Sequence, residues 1–246
     1  MFKTDSIAPE QIPYLGLLKS VLGYVDTENY TYGELFNEIN ANTGGINCGV
    51  EVFDRADSTE EFQAMFSVRG KALYTKMDFL FKMIGEILNS SKLEDTKRLY
   101  EIVASVKSRA QVNLTGAGHS TAVLRAAAYS SPIGIGYYQF IEKLEKDFEQ
   151  RKEETVEELC KLMKKILRPE NFMISYTGER ESLETVQKLA GAVKAGLGTE
   201  PVEKSEEKLT CTKKNEGFKT SGQVQYVAQT GNFKKKGLEY TGALKF

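Results

Sequence analysis

The residues of this sequence whose types could do chemistry gather around its single histidine. The segment G-A-G-H-S at 116–120 contains Gly116, Gly118, His119 and Ser120. Glycines at a helix N-terminus can present backbone N–H groups to an anion, so this segment is a candidate anion-binding site. The G-x-G-x-x-G phosphate-binding fingerprint is incomplete, however, and no strand clearly leads into it. A tight loop, with Ser120 or Thr121 as the N-cap of the following helix, is the alternative interpretation and the commoner outcome for such a pattern.

Catalytic and metal-binding patterns are otherwise missing from the chain. One histidine cannot supply H-E-x-x-H or its inverted form H-x-x-E-H, because both need two histidines on one helical face. The three cysteines, Cys48, Cys160 and Cys211, lie far apart and show no C-x-x-C spacing, and no G-x-S-x-G nucleophile motif occurs. The sequence therefore assigns no catalytic residue and no metal ligand to this chain, and no cofactor is expected in it.

Composition narrows the class of protein. Hydrophobic residues make up 41% and charged residues 27% of the 246 residues, as is ordinary for a globular domain with a real core. The formal net charge of −1 gives no reason to expect nucleic acid or an anionic membrane as a partner. The odd number of scattered cysteines argues against a disulfide framework. We therefore predict a reducing compartment, and a cytoplasmic location.

The chain is organised around Gly44 and Gly45, where a helical pattern changes to a strand pattern. Apolar residues alternate with a period of two in 46–53 and again in 61–69, which predicts two strands joined by a hairpin through 55–58. Glycine adopts a positive φ without penalty, so the pair suits the position after a helix C-terminus. We assign Gly44 and Gly45 a structural role.

Helical periodicity covers most of the remaining sequence. Thr31 to Glu34 form a capping box before one helix, and further apolar stripes occupy the segments 12–25, 73–88, 96–110, 137–148, 156–166 and 183–197. The stripes over 73–88 and 96–110 predict an antiparallel helix pair, and Phe172–Tyr176 alternates like a strand. A cluster of tyrosines, Tyr24, Tyr30 and Tyr32, is typical of packing over a loop rather than of a binding site. These elements predict an α+β fold.

Residues 198–222 are polar and aperiodic and predict a linker. Before it, 1–197 form a complete α/β pattern. After it, Val224, Tyr226 and Ala228 alternate as a strand, and 237–246 could begin a helix. One strand and a helix start cannot make a domain. We therefore predict that 223–246 opens a truncated second domain, whose exposed strand could lead to self-association.

Several stretches of the sequence resemble one protein family: 14–18, 23–27, 32–35, 43–46, Ser108-Arg109, Gly116–Ser120 and 223–228. Together they are similar to the pitrilysin/insulinase superfamily of zinc metallopeptidases, in its presequence-protease and falcilysin branch. The resemblance covers nearly the whole chain, and it is to the peptidase-associated region that follows the catalytic half. It departs from the family between Ser131 and Gly136, where the usual loop is longer.

The resemblance implies an enzyme of four related α/β domains, arranged as two halves that close around a chamber and degrade unfolded peptides. Each domain would have a mainly antiparallel sheet with helices packed on one face, as in LuxS/mitochondrial-processing-peptidase-like folds. Zinc and the general base would lie on an H-x-x-E-H helix of the first domain. This chain would be the third domain with the start of the fourth, and its partners would be the catalytic half and the peptides. No family site residue maps onto it.

Two functions thus stay open at the level of the sequence. One is a non-catalytic part of such a peptidase. The other is a stand-alone module that binds an anionic ligand through 116–120.

Overall fold

The computed structural model describes residues 1–54, 62–127, 137–202, 217, 219, 223–231, 236–239 and 241. The strands are β1 Phe2–Lys3, β2 Ile46–Asp54 and β3 Phe62–Gly70. The helices are α1 Ile12–Val21, α2 Tyr32–Asn42, α3 Met77–Ser90, α4 Thr96–Gly116, α5 Gly118–Ala127, α6 Tyr137–Lys146, α7 Phe148–Ile166 and α8 Leu183–Ala195. This combination of helices and one antiparallel sheet confirms the predicted α+β fold.

The sheet has the order β1-β3-β2, and both pairings are antiparallel. Its register places Phe66 of β3 beside Val50 on one side and Phe2 on the other. Cys48 pairs with Val68 in the same way, so the predicted alternation is correct. Because successive side chains of a strand point to opposite faces, these residues form one apolar face, and this face packs into the main core.

A helical layer covers that face. The core is filled from α1 by Leu15, Leu17 and Leu18, and from the later helices by Leu99, Val103, Ile141, Leu144, Leu159 and Leu162. All of these side chains are buried. The core therefore joins residues more than a hundred positions apart in sequence, from β1 to α7.

The start of α2 forms as predicted. The Glu34 backbone N–H donates to Thr31 Oγ1 at 3.3 Å, and the Thr31 N–H donates to a Glu34 carboxylate oxygen at 2.9 Å. This reciprocal capping box satisfies two N–H groups that the helix leaves free. It fixes where the helix begins, ahead of the buried Leu35.

The glycine pair lies between α2 and β2. Gly45 has a φ of 102°, a backbone conformation that disfavours any side chain. The Gly44 N–H donates to the Lys71 carbonyl at 2.7 Å, which ties the entrance of β2 to the end of β3. The helix-to-strand junction therefore depends on a left-handed residue at position 45.

Replacing Gly45 with alanine should lower the free energy of unfolding by about 1–2 kcal/mol, because alanine resists this φ. Gly85 provides the control, since it lies inside α3 and a Cβ there would contact nothing within 4 Å. Gly85→Ala should instead raise stability by about 0.5–1 kcal/mol through helix propensity. Urea denaturation of both variants measures the difference. Equal effects at the two positions would contradict the argument from φ.

The predicted pairing of α3 with α4 is wrong. In the structure α3 packs mainly against α8 and α2, whereas α4 packs mainly against α6, α1, α5 and α7. An apolar stripe identifies the buried face of a helix but not the element that covers it. Here distant helices supply that cover, which short-range periodicity cannot show.

Two predicted strands also do not form as such. Phe172 makes a single antiparallel bridge to Phe2, and the Met173 N–H donates to the Met1 carbonyl, but no strand extends to Tyr176. Within the described residues 223–231 there is no strand. A strand exists only through its hydrogen bonds to a neighbouring strand, and alternation of side chains cannot supply that neighbour.

Other sequence predictions fall outside the described residues. These are the hairpin turn at 55–58, the short loop between Ser131 and Gly136, most of the linker 198–222 and most of the helix start at 237–246. The division into two domains therefore stays a prediction. Among the described residues, no helix combines the length and apolar character that crossing a membrane requires.

Candidate functional site

The residues predicted to bind an anion lie where α4 meets α5. The Ala117 N–H donates to the Asn113 carbonyl, and the Thr121 N–H donates to the Ala117 carbonyl. Helical hydrogen bonding thus resumes after one residue, and α5 already begins at Gly118. The predicted tight loop capped by Ser120 or Thr121 is wrong. The reason is that Ala117, Ser120 and Thr121 all tolerate helical backbone, so two glycines alone do not force a loop here.

A residue from the tail covers the first turn of α5. The ring centroids of His119 and Tyr226 lie 5.8 Å apart. A Cβ added to Gly118 would lie 2.6 Å from the Tyr226 ring, so glycine at 118 allows the ring to approach closely. Sequence reasoning placed Tyr226 only in a strand. Its ring stands beside the turn where an anion would bind, and a binding role for Gly116, Gly118, His119 and Ser120 stays a prediction.

Metal-ligand chemistry finds no support in the residues that the structure describes. They contain no group of three or more His, Cys, Asp or Glu side chains that could hold a metal ion. Burial raises the pKa of the Cys48 thiol to about 12, and burial also raises the pKa of Cys160. Both thiols therefore stay protonated near neutral pH, and a protonated thiol is a poor metal ligand and a poor nucleophile.

Packing explains Tyr30 and Tyr32 of the tyrosine cluster, as expected, whereas the Tyr24 ring is 47% exposed. The Arg98 guanidinium lies 3.8 Å from the centroid of the Tyr32 ring, and Arg98 Nε donates to the Tyr24 carbonyl at 2.9 Å. Tyr30 packs against the main core. One cation from α4 thus fixes the loop between α1 and α2.

A cleft that the sequence did not reveal opens beside this loop. It has a volume of about 400 Å³ and lies between the end of α1, the middle of α2, the start of β2 and α4. Its lining comprises Lys19, Ser20, Leu22, Gly23, Tyr24, Phe36, Ile39, Asn40, Gly45, Ile46, Asn47, Cys48, Ile87 and Arg109. The tyrosine cluster was the one signal of this cleft in the sequence, since Tyr24 belongs both to that cluster and to the lining of the cleft.

The cleft combines an apolar floor with a polar rim. Leu22, Ile39 and Ile87 are buried beneath it, whereas the rings of Tyr24 and Phe36 stand about half exposed at its edge. Lys19 and Arg109 are the charged residues of the lining, which includes no acid. This arrangement favours an anionic ligand with an apolar part.

Comparisons with known proteins place the chain in a family. Residues 1–144 match the model of the family described as Peptidase M-16C associated. The chain belongs to this family. The "Protein HypA" of Clostridium perfringens is 34% identical over 251 residues, which cover 99% of this chain and 26% of that protein.

Other relatives of this peptidase-associated chain carry the name of the predicted branch. The "Presequence protease 1, chloroplastic/mitochondrial" of Arabidopsis thaliana is 25% identical over 255 residues, covering 99% of this chain and 23% of that protein. The "Presequence protease, mitochondrial" of Yarrowia lipolytica is 28% identical over 155 residues, which cover 60% of this chain and 16% of that protein. This confirms the resemblance to a pitrilysin-superfamily peptidase-associated region. The chain spans about a quarter or less of the length of these relatives.

Proposed function

We propose that this chain is a non-catalytic part of a presequence-protease-like zinc metallopeptidase, and that it helps to close the chamber in which peptides are degraded. The family match across 1–144 carries this proposal. It is supported by the alignment of nearly the whole chain with a stretch of the Clostridium perfringens and Arabidopsis relatives. In this proposal the zinc and the general base belong to a catalytic half, which is the partner of this chain, and unfolded peptides are the substrates.

In this proposal the chain acts as a scaffold rather than as a catalyst. The described residues contain no candidate metal cluster, and the buried carboxylate of Glu86 is engaged in a structural contact with Asn29. The alternative of a stand-alone anion-binding module at 116–120 gains no support, because α5 follows α4 after one residue and Tyr226 packs on Gly118. A cytoplasmic location and self-association through 223–246 remain proposals from the sequence.

Chain 1–246 alone should hold no stoichiometric zinc and hydrolyse no peptide, because one histidine cannot supply the ligand set. Metal analysis after dialysis and a peptidase assay test this prediction. About one tightly held zinc per chain would overturn the non-catalytic assignment.

The second half of the test is complementation. A catalytic half carrying H-x-x-E-H, mixed with a completed C-terminal half that contains this chain, should gain peptidase activity that neither half shows alone. The same C-terminal half without residues 1–197 is the control. Failure to gain activity in the complete mixture would count against the proposed function.

A further inference from the structure

The cleft between α1, α2, β2 and α4 contains two cations without a counter-charge. Several cations of the described surface pair with carboxylates, as Lys107 does with Glu145 and Arg151 with Glu154. The side chains of Lys19 and Arg109 have no ion pair or hydrogen bond within the described ranges, and both residues line the same cleft. These two charges create a local positive potential in a chain whose formal net charge is −1.

No residue that lines the cleft carries an acidic side chain that would cancel this potential. The end of α1 carries partial negative charge on its last carbonyls, but the Leu18 carbonyl accepts from the Leu22 N–H, and the Val21 carbonyl accepts from the Tyr24 N–H. Cys48 contributes no charge, since burial raises its pKa to about 12. The cleft is thus positive at the two side chains and neutral elsewhere along its lining.

The remaining lining fits a peptide better than a bare anion. The side chains of Leu22, Ile39 and Ile87 are almost fully buried under the cleft, and the half-exposed rings of Tyr24 and Phe36 at its edge offer apolar surface to a side chain of the ligand. The amides of Asn40 and Asn47 offer both donors and acceptors, which match the main chain of a peptide. A volume of about 400 Å³ lies within the usual range for ligand pockets.

We propose that this cleft binds a peptide carboxylate, with Lys19 and Arg109 holding the carboxylate and the rings of Tyr24 and Phe36 packing against the adjacent side chain. That a peptide is the source of the carboxylate rests on the proposed function, whereas the preference for an anion rests on the cleft alone. The carboxylate can be the C-terminus of the peptide or an acidic side chain, because both present the same two oxygens.

Binding to chain 1–246 tests the proposal with three short N-acetylated peptides that all end in leucine. One has a free C-terminal carboxylate, one is C-amidated, and one is C-amidated with a glutamate before the leucine. NMR titration should show the free acid or the glutamate peptide binding about tenfold more tightly than the neutral amide, as a charge-assisted hydrogen bond predicts. Whichever of the two charged peptides binds more tightly identifies the source of the carboxylate. Equal binding of all three peptides, or binding of none, would overturn the proposal.

The variants Lys19→Gln and Arg109→Gln should each lower the affinity for the charged peptide severalfold. The double variant should lower it to the affinity that the neutral amide shows. Lys97→Gln is the matched control, because Lys97 is an exposed cation of the same α4 and does not line the cleft. It should leave binding unchanged. Because Arg109 is exposed, its variant should fold normally, and the thermal unfolding curve checks this.

The result is separable from the proposed function. If the double variant still complements a catalytic half but binds the charged peptide as tightly as the unaltered chain, the cleft proposal fails and the proposed function stands. If complementation fails while Lys19→Gln and Arg109→Gln abolish the preference for a carboxylate, the proposed function fails and the anion site stands.

Discussion

Replacing Phe66 with alanine is expected to lower the free energy of unfolding by about 3–5 kcal/mol, the usual cost of removing a large aromatic side chain from a core. Phe66 is 0% exposed and lies at the centre of the sheet, between Val50 and Phe2. Its removal would leave a cavity where the sheet meets the helices, and rigid neighbours can fill only part of it. Since domains are stable by only about 5–15 kcal/mol, this change should be the most damaging of those considered.

Phe53 supplies the matched control for this experiment. It lies on β2, pairs with Gln63 of β3 and is 47% exposed. Phe53→Ala should therefore cost less than about 1 kcal/mol, because little apolar area returns to water. Urea denaturation followed by circular dichroism measures both variants. A similar loss at the two positions would show that the Phe66 face of the sheet is not the core.

Replacing Glu86 with glutamine should cost about 1.5–3 kcal/mol at pH 7, because it removes hydrogen bonds to a charged acceptor. Glu86 is 9% exposed, and its carboxylate accepts from the Asn29 backbone N–H at 3.0 Å and from Asn29 Nδ2 at 3.0 Å. A glutamine keeps one acceptor oxygen, but it places an NH2 group where Asn29 Nδ2 donates to the second carboxylate oxygen. This contact joins α3 to the loop before α2.

The effect should depend on pH with a defined sign. Burial raises the pKa of Glu86, but the hydrogen bonds from Thr27 and Asn29 outweigh it and hold this pKa below its usual value. A lowered pKa in the folded state stabilises the protein above the pKa of the unfolded chain, near ~4.3, and this stabilisation is lost as the pH falls through the folded value. The difference in the free energy of unfolding between wild type and Glu86→Gln should therefore be largest at pH 7 and should decrease below about pH 4.

Glu153 provides the control for charge removal, as it is exposed on α7. Glu153→Gln should change stability by less than about 0.5 kcal/mol at either pH. Unfolding free energies at pH 7 and at pH 3 distinguish the two variants. A Glu86→Gln deficit that does not shrink in acid would mean that packing rather than the carboxylate is responsible.

The local elements could be predicted from the sequence because their causes are local. The β2 and β3 strands follow from a two-residue alternation, and the start of α2 follows from Thr31 and Glu34, which lie one helical turn apart. The Gly45 junction also follows from neighbouring residues, since only its own backbone needs the positive φ. The family, too, could be recognised from residue identities along the chain.

The structure of the candidate sites could not be predicted from the sequence. The pattern at 116–120 contained the right residues but the wrong structure, because nothing local decides whether two glycines interrupt a helix for one residue or for a whole loop. The contact of Tyr226 with Gly118 joins positions more than a hundred residues apart. The cleft was not predicted at all, since Lys19 and Arg109 come from α1 and α4 and only folding brings them to one opening.

The residue pattern alone predicted the α+β class, the capping box at Thr31, the alternation of β2 and β3, and the resemblance to a peptidase-associated family. Each depends on contacts between residues close in the chain or on residue identity alone. The tertiary structure decided that α3 packs against α8 rather than α4, that Phe172 forms one bridge instead of a strand, and that two cations share a cleft. These outcomes depend on the burial of apolar faces from distant segments against each other. The hydrophobic effect is not directional, so the periodicity of a segment does not show which other segment covers its apolar face.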